Sequence, residues 1–500
     1  MKRSAVVSTL LVTGLLAVIL FRRGPHLYDD AFITMRYARH LAAGDGLVYN
    51  PGERVLGTST PLYAAMLAVP GAALGPGAIP AIGVGIGFAA LFATALLLLR
   101  LLSPGAPAPV ALLAVAAALT PLETARVFAS GMETPLYLAA LAGALLLLSL
   151  RRDRWAFLAA GLLPFVHPEG VLLFAALALA IRLRDGRWPL GSMLPGAAAA
   201  LAGAAALTAW FGSPLPASIG AKRAAYVLAP FTALGELARA ALEVLLPPRA
   251  PDLVQGASPG AALAWEAGVP LLALLLLGAL FRFGRRALAR PEVAAAALFA
   301  SGYLAAFAAG NPLVFPWYGA PLVVSVAVVV GALVGEAARG DRASRAVAGA
   351  GTTVLALGTL LRLALLQPYD ASDREELYRV AALRMNAAPA DVVLAPEIGA
   401  LGFYTPARIW DTSGLVTPAA LRFRGAEWRE RERGPLSIGG GTIPPGVIEA
   451  VRPDWIVALS RFLDPLLRVS PRALDGYELF AEYPTERWGS RAVVVYRKRR

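Results

Sequence analysis

Long apolar runs separated by short charged turns dominate the first 366 residues. Runs such as Ala81–Leu102 and Gly191–Phe211 exceed the ~18 residues a helix needs to cross a bilayer. By length and hydrophobicity, about eleven segments read as crossings: 4–21, 79–102, 107–121, 134–150, 155–166, 169–183, 191–211, 268–283, 292–309, 318–336 and 344–366. The pair 155–166 and 169–183 is short and fits either two spans or a re-entrant hairpin. Pro61–Leu74 is also apolar, but as a crossing it would move Arg151–Arg154 to the other side, so it reads as a surface or re-entrant segment. Beyond residue 366 the pattern changes. Short apolar runs (Val392–Ala395, Trp455–Leu459, Ala492–Tyr496) alternate with charged helical or turn stretches, which predicts a small α/β domain over 367–500. The expected architecture is therefore a polytopic α-helical membrane domain, 1–366, with large loops at 22–78 and 212–267, followed by that α/β domain.

Composition agrees: 57% of residues are hydrophobic and only 16% charged, against about a quarter charged in soluble domains. The mean hydropathy is +0.62. The first run, Ser4–Phe21, follows Lys2 and Arg3 but lacks a small-residue cleavage site, so it reads as a retained span. The net charge of +13 does not indicate a nucleic-acid partner, because the basic residues cluster between apolar runs. The absence of cysteine excludes disulfides, thiolate metal sites and cysteine nucleophiles.

The arginine-rich turns lie at 151–154, 182–187, 282–290 and 338–345, and the positive-inside rule makes all four cytoplasmic. The N-terminus is then cytoplasmic. The tail and five polar stretches face the other side: the 22–78 loop, "ASGMETP", "VHPEG", "GSPLPASIGAKRAAY" and "NPLVFPWYG". In the first loop Asp30 is a suitable N-cap for a helix Ala31–Ala43 ended by Gly44. One cap needs one carboxylate, which leaves Asp29 over as a proton acceptor or metal ligand. Arg36 and His40 share a face of that helix and either hold an anion or snorkel to the interface. Glu133 either complements a helix dipole or lines a site. His167 and Glu169 form a weak metal motif and a stronger candidate site-lining pair. Lys222 and Arg223 either anchor the interface or bind a phosphate. Tyr318 belongs to an aromatic belt or to a sugar-stacking surface, and Asp411 to a turn with Gly414 in the tail.

The stretch "YDDAFITMRYARHLAAGDGLVYNPGERVLGTSTPLY" resembles the first extracytoplasmic loop of GT-C-type membrane glycosyltransferases. In particular it is similar to mycobacterial arabinofuranosyltransferases that use decaprenyl-phosphate arabinose and carry a DDA-[YF]-I motif. "SGMETPLY", "HPEG", "PLPASIGAK" and "IGALGFYTPARIWDTSGLVTP…RPDWIV" resemble later signatures of that group in the same order. His167 departs from it, standing where relatives carry arginine. The resemblance implies a bacterial inner-membrane enzyme transferring a sugar, with inversion, from a polyprenyl-phosphate donor to a cell-envelope glycan or lipid hydroxyl. It makes Asp29 or Asp30 the base, Asp29 being preferred because Asp30 is the better cap. Lys222, with Arg36 or Arg223, would bind the donor phosphate. Glu133, His167, Glu169, Tyr318 and His40 would line the sugar cavity, and Asp411 would belong to an acceptor-holding tail. A divalent ion, Mg²⁺ or Ca²⁺, if used, would take Asp29 and Asp30 as ligands. The alternative function is a transporter or flippase of a lipid-linked saccharide.

Overall fold

The computed structural model describes residues 3–22, 24–225, 228–245, 259–365, 373–425, 442–486 and 489–499. The expected 366/367 boundary and part of the 212–267 loop lie outside them. The helices are α1 (Arg3–Arg22), α2 (Asp29–Ala43), α3 (Pro61–Leu74), α4 (Ile79–Leu102), α5 (Ala108–Leu119), α6 (Leu122–Val127) and α7 (Thr134–Ser149). They continue with α8 (Asp153–Leu162), α9 (Gly170–Asp185), α10 (Leu190–Phe211), α11 (Ala217–Ala225), α12 (Thr232–Leu242), α13 (Pro259–Ala287) and α14 (Pro291–Gly310). After a short turn at Pro316–Gly319 come α15 (Ala320–Ala338), α16 (Arg342–Leu365), α17 (Asp373–Met385), α18 (Gly399–Tyr404), α19 (Val447–Val451) and α20 (Ser460–Val469).

A helix falls on each of the eleven segments expected to cross. Among the described residues, six stretches are both long and apolar enough for a full crossing: Arg3–Arg22, Pro76–Leu102, Leu190–Phe211, Pro291–Gly310, Pro316–Ala338 and Arg342–Ala364. Pro61–Leu74, Ala108–Leu119 and Thr134–Ser149 are apolar but shorter. Local sequence explains several boundaries. Pro61, Pro135 and Pro291 sit in first turns, where a missing N–H breaks no helical bond. Gly44 ends α2 in the left-handed conformation expected of it, at φ 90°, with its N–H on the carbonyls of His40 and Leu41.

The chain forms two compact units. The first comprises residues 1–25, 84–203 and 230–368. In it the Pro316–Ala338 stretch is 83% buried, which makes it the centre of the helical bundle. The turns after α7 and α9 are tied by Arg184–Asp153 at 2.6 Å and Arg151–Asp185 at 3.3 Å, so these two arginine-rich turns share one end of the bundle.

The second unit comprises residues 26–83, 204–229 and 369–500, so compactness groups the first loop with the tail rather than with the helices that flank it in sequence. Its sheet is built from β1 (Val392–Ala395), β2 (Arg408–Asp411), β3 (Trp455–Leu459), β4 (Tyr477–Pro484) and β5 (Ala492–Lys498), in the order β2-β1-β3-β5-β4. β2, β1 and β3 run parallel, whereas β5 pairs antiparallel with β3 and β4. The apolar runs became β1, β3 and β5. The edge strand β4 was not expected, because its solvent-facing residues and a register shift at Leu479/Ala481 hide the strand pattern.

Candidate functional site

Asp29 and Asp30 open α2 together, both in its first turn, and Tyr28 takes the N-cap position with extended backbone and no side-chain cap bond. The expectation that Asp30 caps the helix is therefore corrected. A carboxylate within the first turn gains from the helix dipole without capping, and the helix starts one residue before the supposed cap.

The two neighbours differ sharply in surroundings. Asp29 is 8% exposed, and its two oxygens accept the backbone N–H groups of Gly399 (3.0 Å) and Ala400 (2.8 Å) at the start of α18. Gly399 has to be glycine, since a Cβ there would run into the Asp29 backbone carbonyl. Burial pushes the Asp29 carboxyl up to about 6 against the pull of Arg374. Arg374 donates to Glu397 at 3.0 Å and also binds Glu375. Tyr378 Oη donates to Glu397 at 2.7 Å and accepts the N–H of Leu459 in β3. Burial likewise lifts Glu397 to about 7. Asp29 is thus the carboxylate with a structural task, the reverse of the sequence expectation.

Asp30 keeps a side chain 34% exposed and lies 3.6 Å from the Lys222 ammonium on α11. Arg223, next on the same helix, is exposed. An accessible carboxylate beside an accessible cation is what a base working near a phosphate leaving group requires.

Three expected ligand-binding residues prove to be structural. Arg36, 1% exposed, donates to the carbonyls of Tyr49 (2.8 Å), Ala407 (2.9 Å), Thr405 (3.4 Å) and Gly402, and to Asn50 Oδ1 (3.4 Å). Those five bonds match the five N–H groups of a guanidinium, which leaves none for a phosphate. His40 places Nδ1 3.1 Å from the Val48 carbonyl, and burial pushes its pKa down to about 4, so it is neutral at physiological pH and holds no anion. Asp411 is fully buried and accepts the N–H groups of Ser413 (2.7 Å) and Val416 (3.0 Å), building the expected turn in which Gly414 has φ 86°. It presents no oxygen to an acceptor.

The first unit carries the other polar group. Glu133 and His167 are 4% and 5% exposed, with His167 Nε2 3.9 Å from Glu133 Oε1. His167 Nδ1 lies against the Glu169 carboxylate. "VHPEG" is a tight turn leading into α9, and it folds the His167 and Glu169 side chains together. The Tyr137 and Tyr318 rings flank the imidazole, with centroids 5.3 and 6.0 Å away.

Among the described residues, no group of three His, Asp or Glu side chains is placed to hold a metal ion. The aspartate pair does not fit a shared divalent ion either, because both Asp29 oxygens face backbone N–H groups and Asp30 faces an ammonium. Sequence reasoning missed Glu397, Glu375, Arg374 and Tyr378. Their one signal was the position of Glu397 beside the Gly-containing "IGALG" stretch.

Such a helical membrane bundle with a small α/β domain at its C-terminal end is a GT-C-type fold, and the chain is a multi-pass membrane protein. The fold is similar to that of ArnT from Cupriavidus metallidurans in the apo state, at TM-score 0.56 and 14% identity over 97% of each chain. It is equally similar to ArnT from the same organism bound to undecaprenyl phosphate, at TM-score 0.58 with the same identity and coverage. Residues 367–496 match a family described as "Domain of unknown function (DUF8728)". No curated protein matches the chain.

Proposed function

We propose that this protein is an inverting glycosyltransferase that moves a sugar from a polyprenyl-phosphate donor to a glycan or lipid hydroxyl on the extracytoplasmic face. The observation that carries the reading is the 3.6 Å approach of Lys222 to the accessible carboxylate of Asp30. The GT-C-type fold supports it, as does the presence of undecaprenyl phosphate in one ArnT structure of that fold.

In this mechanism Asp30, rather than Asp29, removes the proton from the acceptor hydroxyl as its oxygen attacks the anomeric carbon. The bond from that carbon to the phosphate oxygen breaks with inversion, and polyprenyl phosphate departs carrying the bonding electrons. Phosphate needs little acid catalysis as a leaving group but gains from a cation, the role of Lys222 with Arg223 as helper. A donor phosphate competing for Lys222 frees Asp30 to accept the proton, which links donor binding to base activity. Within the first unit, Glu133, His167, Glu169 and Tyr318 supply hydrogen-bonding and stacking surfaces suited to a sugar. The transferred sugar is a hexose or a pentose.

The test is transfer by the purified full chain from a panel of polyprenyl-phosphate sugars, with and without chelator. Asp30→Asn should lower the rate by about 10²–10⁴-fold, the usual contribution of a general base. Wild-type rates in Asp30→Asn, or lipid-linked saccharide translocation without transfer, would sink the proposal.

A further inference from the structure

The first unit contains a cleft of about 450 Å³ to which the mechanism gives no role. Its walls are α6, α12, the Pro316–Gly319 turn, the start of α15 and Arg362 near the end of α16. The arginine-rich turn between α15 and α16 is at the other end of that helix pair, so the cleft opens at the end expected to face outward.

The charged lining is balanced, with Glu123, Glu236 and Glu243 against Arg126, Arg239 and Arg362. Arg126 pairs with Glu123 at 2.7 Å and Arg239 with Glu236 at 2.9 Å. Arg362, 2% exposed, is braced by the Glu243 carbonyl at 2.6 Å and by the Thr120 hydroxyl at 3.0 Å. Phe315 forms part of the apolar wall, its ring stacked on Trp317 at 4.9 Å.

Arg362 lies in the 344–366 segment, where a buried charge is costly and usually marks a ligand path, and the two i,i+3 pairs beside it return little stability. Three carboxylates offset the three guanidinium groups, so the lining offers a bare anion no net attraction. Fixed carboxylate and guanidinium edges instead alternate acceptors with paired donors, which matches the vicinal hydroxyls of a sugar. Phe315 offers an apolar face to the C–H side of a sugar ring, and the volume falls within the ~300–1,000 Å³ of ordinary ligand pockets.

We propose that this cleft binds a neutral saccharide and, resting on the glycosyltransferase reading, that the saccharide is the acceptor glycan. The test is saturation-transfer NMR on the full chain in nanodiscs. The neutral probes are the methyl glycosides of arabinose, glucose, galactose and mannose, and glucose 1-phosphate is the anionic probe. At least one neutral glycoside should bind the wild type. Its affinity should fall about tenfold in the paired substitution Glu236→Ala with Arg239→Ala, as expected on losing charge-assisted hydrogen bonds. Both side chains are about half exposed, so that variant should fold, and Ala240→Trp, which fills the cleft, provides a second measure. No neutral binding, unchanged affinity in both variants, or preference for glucose 1-phosphate overturns the proposal. Sugar binding by a wild type that transfers no sugar would fault the catalytic reading alone, whereas transfer without cleft binding would fault this one.

Discussion

The Asp29 carboxylate accepts the backbone N–H of Gly399 at 3.0 Å and thereby fastens the first-loop helix to a tail element 370 residues further along the chain. Arg36 adds bonds to the Gly402, Thr405 and Ala407 carbonyls, Tyr49 Oη donates to the Ile398 carbonyl at 2.6 Å, and Asn50 bonds both backbone groups of Ile409. Two signatures far apart in sequence, "DDAFITMRYARH…YN" and "IGALGFYTPARI", are therefore two sides of one hydrogen-bonded joint. Asp30 is held one residue from that joint.

Asp29→Asn and Asp30→Asn should have different consequences. An asparagine at 29 offers one acceptor oxygen where two N–H groups converge, so one buried donor loses its partner at a cost of about 1–3 kcal/mol. Thermal unfolding should shift down while the turnover per folded molecule persists. Asp30→Asn should leave stability within about 0.5 kcal/mol, as for a partly exposed side chain away from the core, and lower transfer about 10²–10⁴-fold. Equal effects of the two substitutions on turnover would contradict the assignment.

Gly399→Ala tests the same joint from the tail side. The added methyl group meets the Asp29 backbone carbonyl, which is not a flexible side-chain end and has no room to yield. The variant should lose about 1–3 kcal/mol, as overpacked sites do, and a melting temperature equal to wild type would refute the contact.

Stability should fall with rising pH between about 4 and 7. Asp29 and Glu397 hold protons more tightly folded, near 6 and 7, than unfolded, near 4. The stabilisation is complete below pH ~4 and lost as pH rises through the folded values. Melting temperatures from pH 5 to 8 in constant ionic strength should show the slope, and Glu397→Gln should flatten it.

Lys222→Met should raise the apparent KM for the polyprenyl-phosphate donor and also lower kcat, because the cation binds both the ground-state phosphate and the charge that grows on departure. Lys222→Arg should recover part of both. Steady-state kinetics at varied donor concentration separates the two parameters, and an unchanged donor KM in Lys222→Met would remove Lys222 from the phosphate site.

Several features were legible in the residue pattern because they depend on neighbours in sequence. A helix falls on each apolar run, Gly44 ends α2, Gly414 shapes the Asp411 turn, and β1, β3 and β5 occupy the short apolar runs of the tail. Length, hydropathy and backbone preference act over a few residues, so one sequence suffices to read them.

The division of labour between Asp29 and Asp30 was not written that way. Adjacent, identical and in the same helical turn, they have the same local propensities, and cap reasoning assigned the structural task to the wrong one. What separates them is which carboxylate meets the N–H groups of Gly399 and Ala400 and which meets Lys222, and each of those partners comes from a distant part of the chain. Arg36 and His40 shared a helix face that suggested an anion site, yet burial against the tail commits the first to carbonyls and keeps the second neutral. The sequence by itself determined the helices, the small sheet and the inventory of charged groups. Only the tertiary structure decided which of those charges are buried and satisfied and which remain accessible, because hydrogen-bond satisfaction and desolvation depend on residues brought together across hundreds of positions.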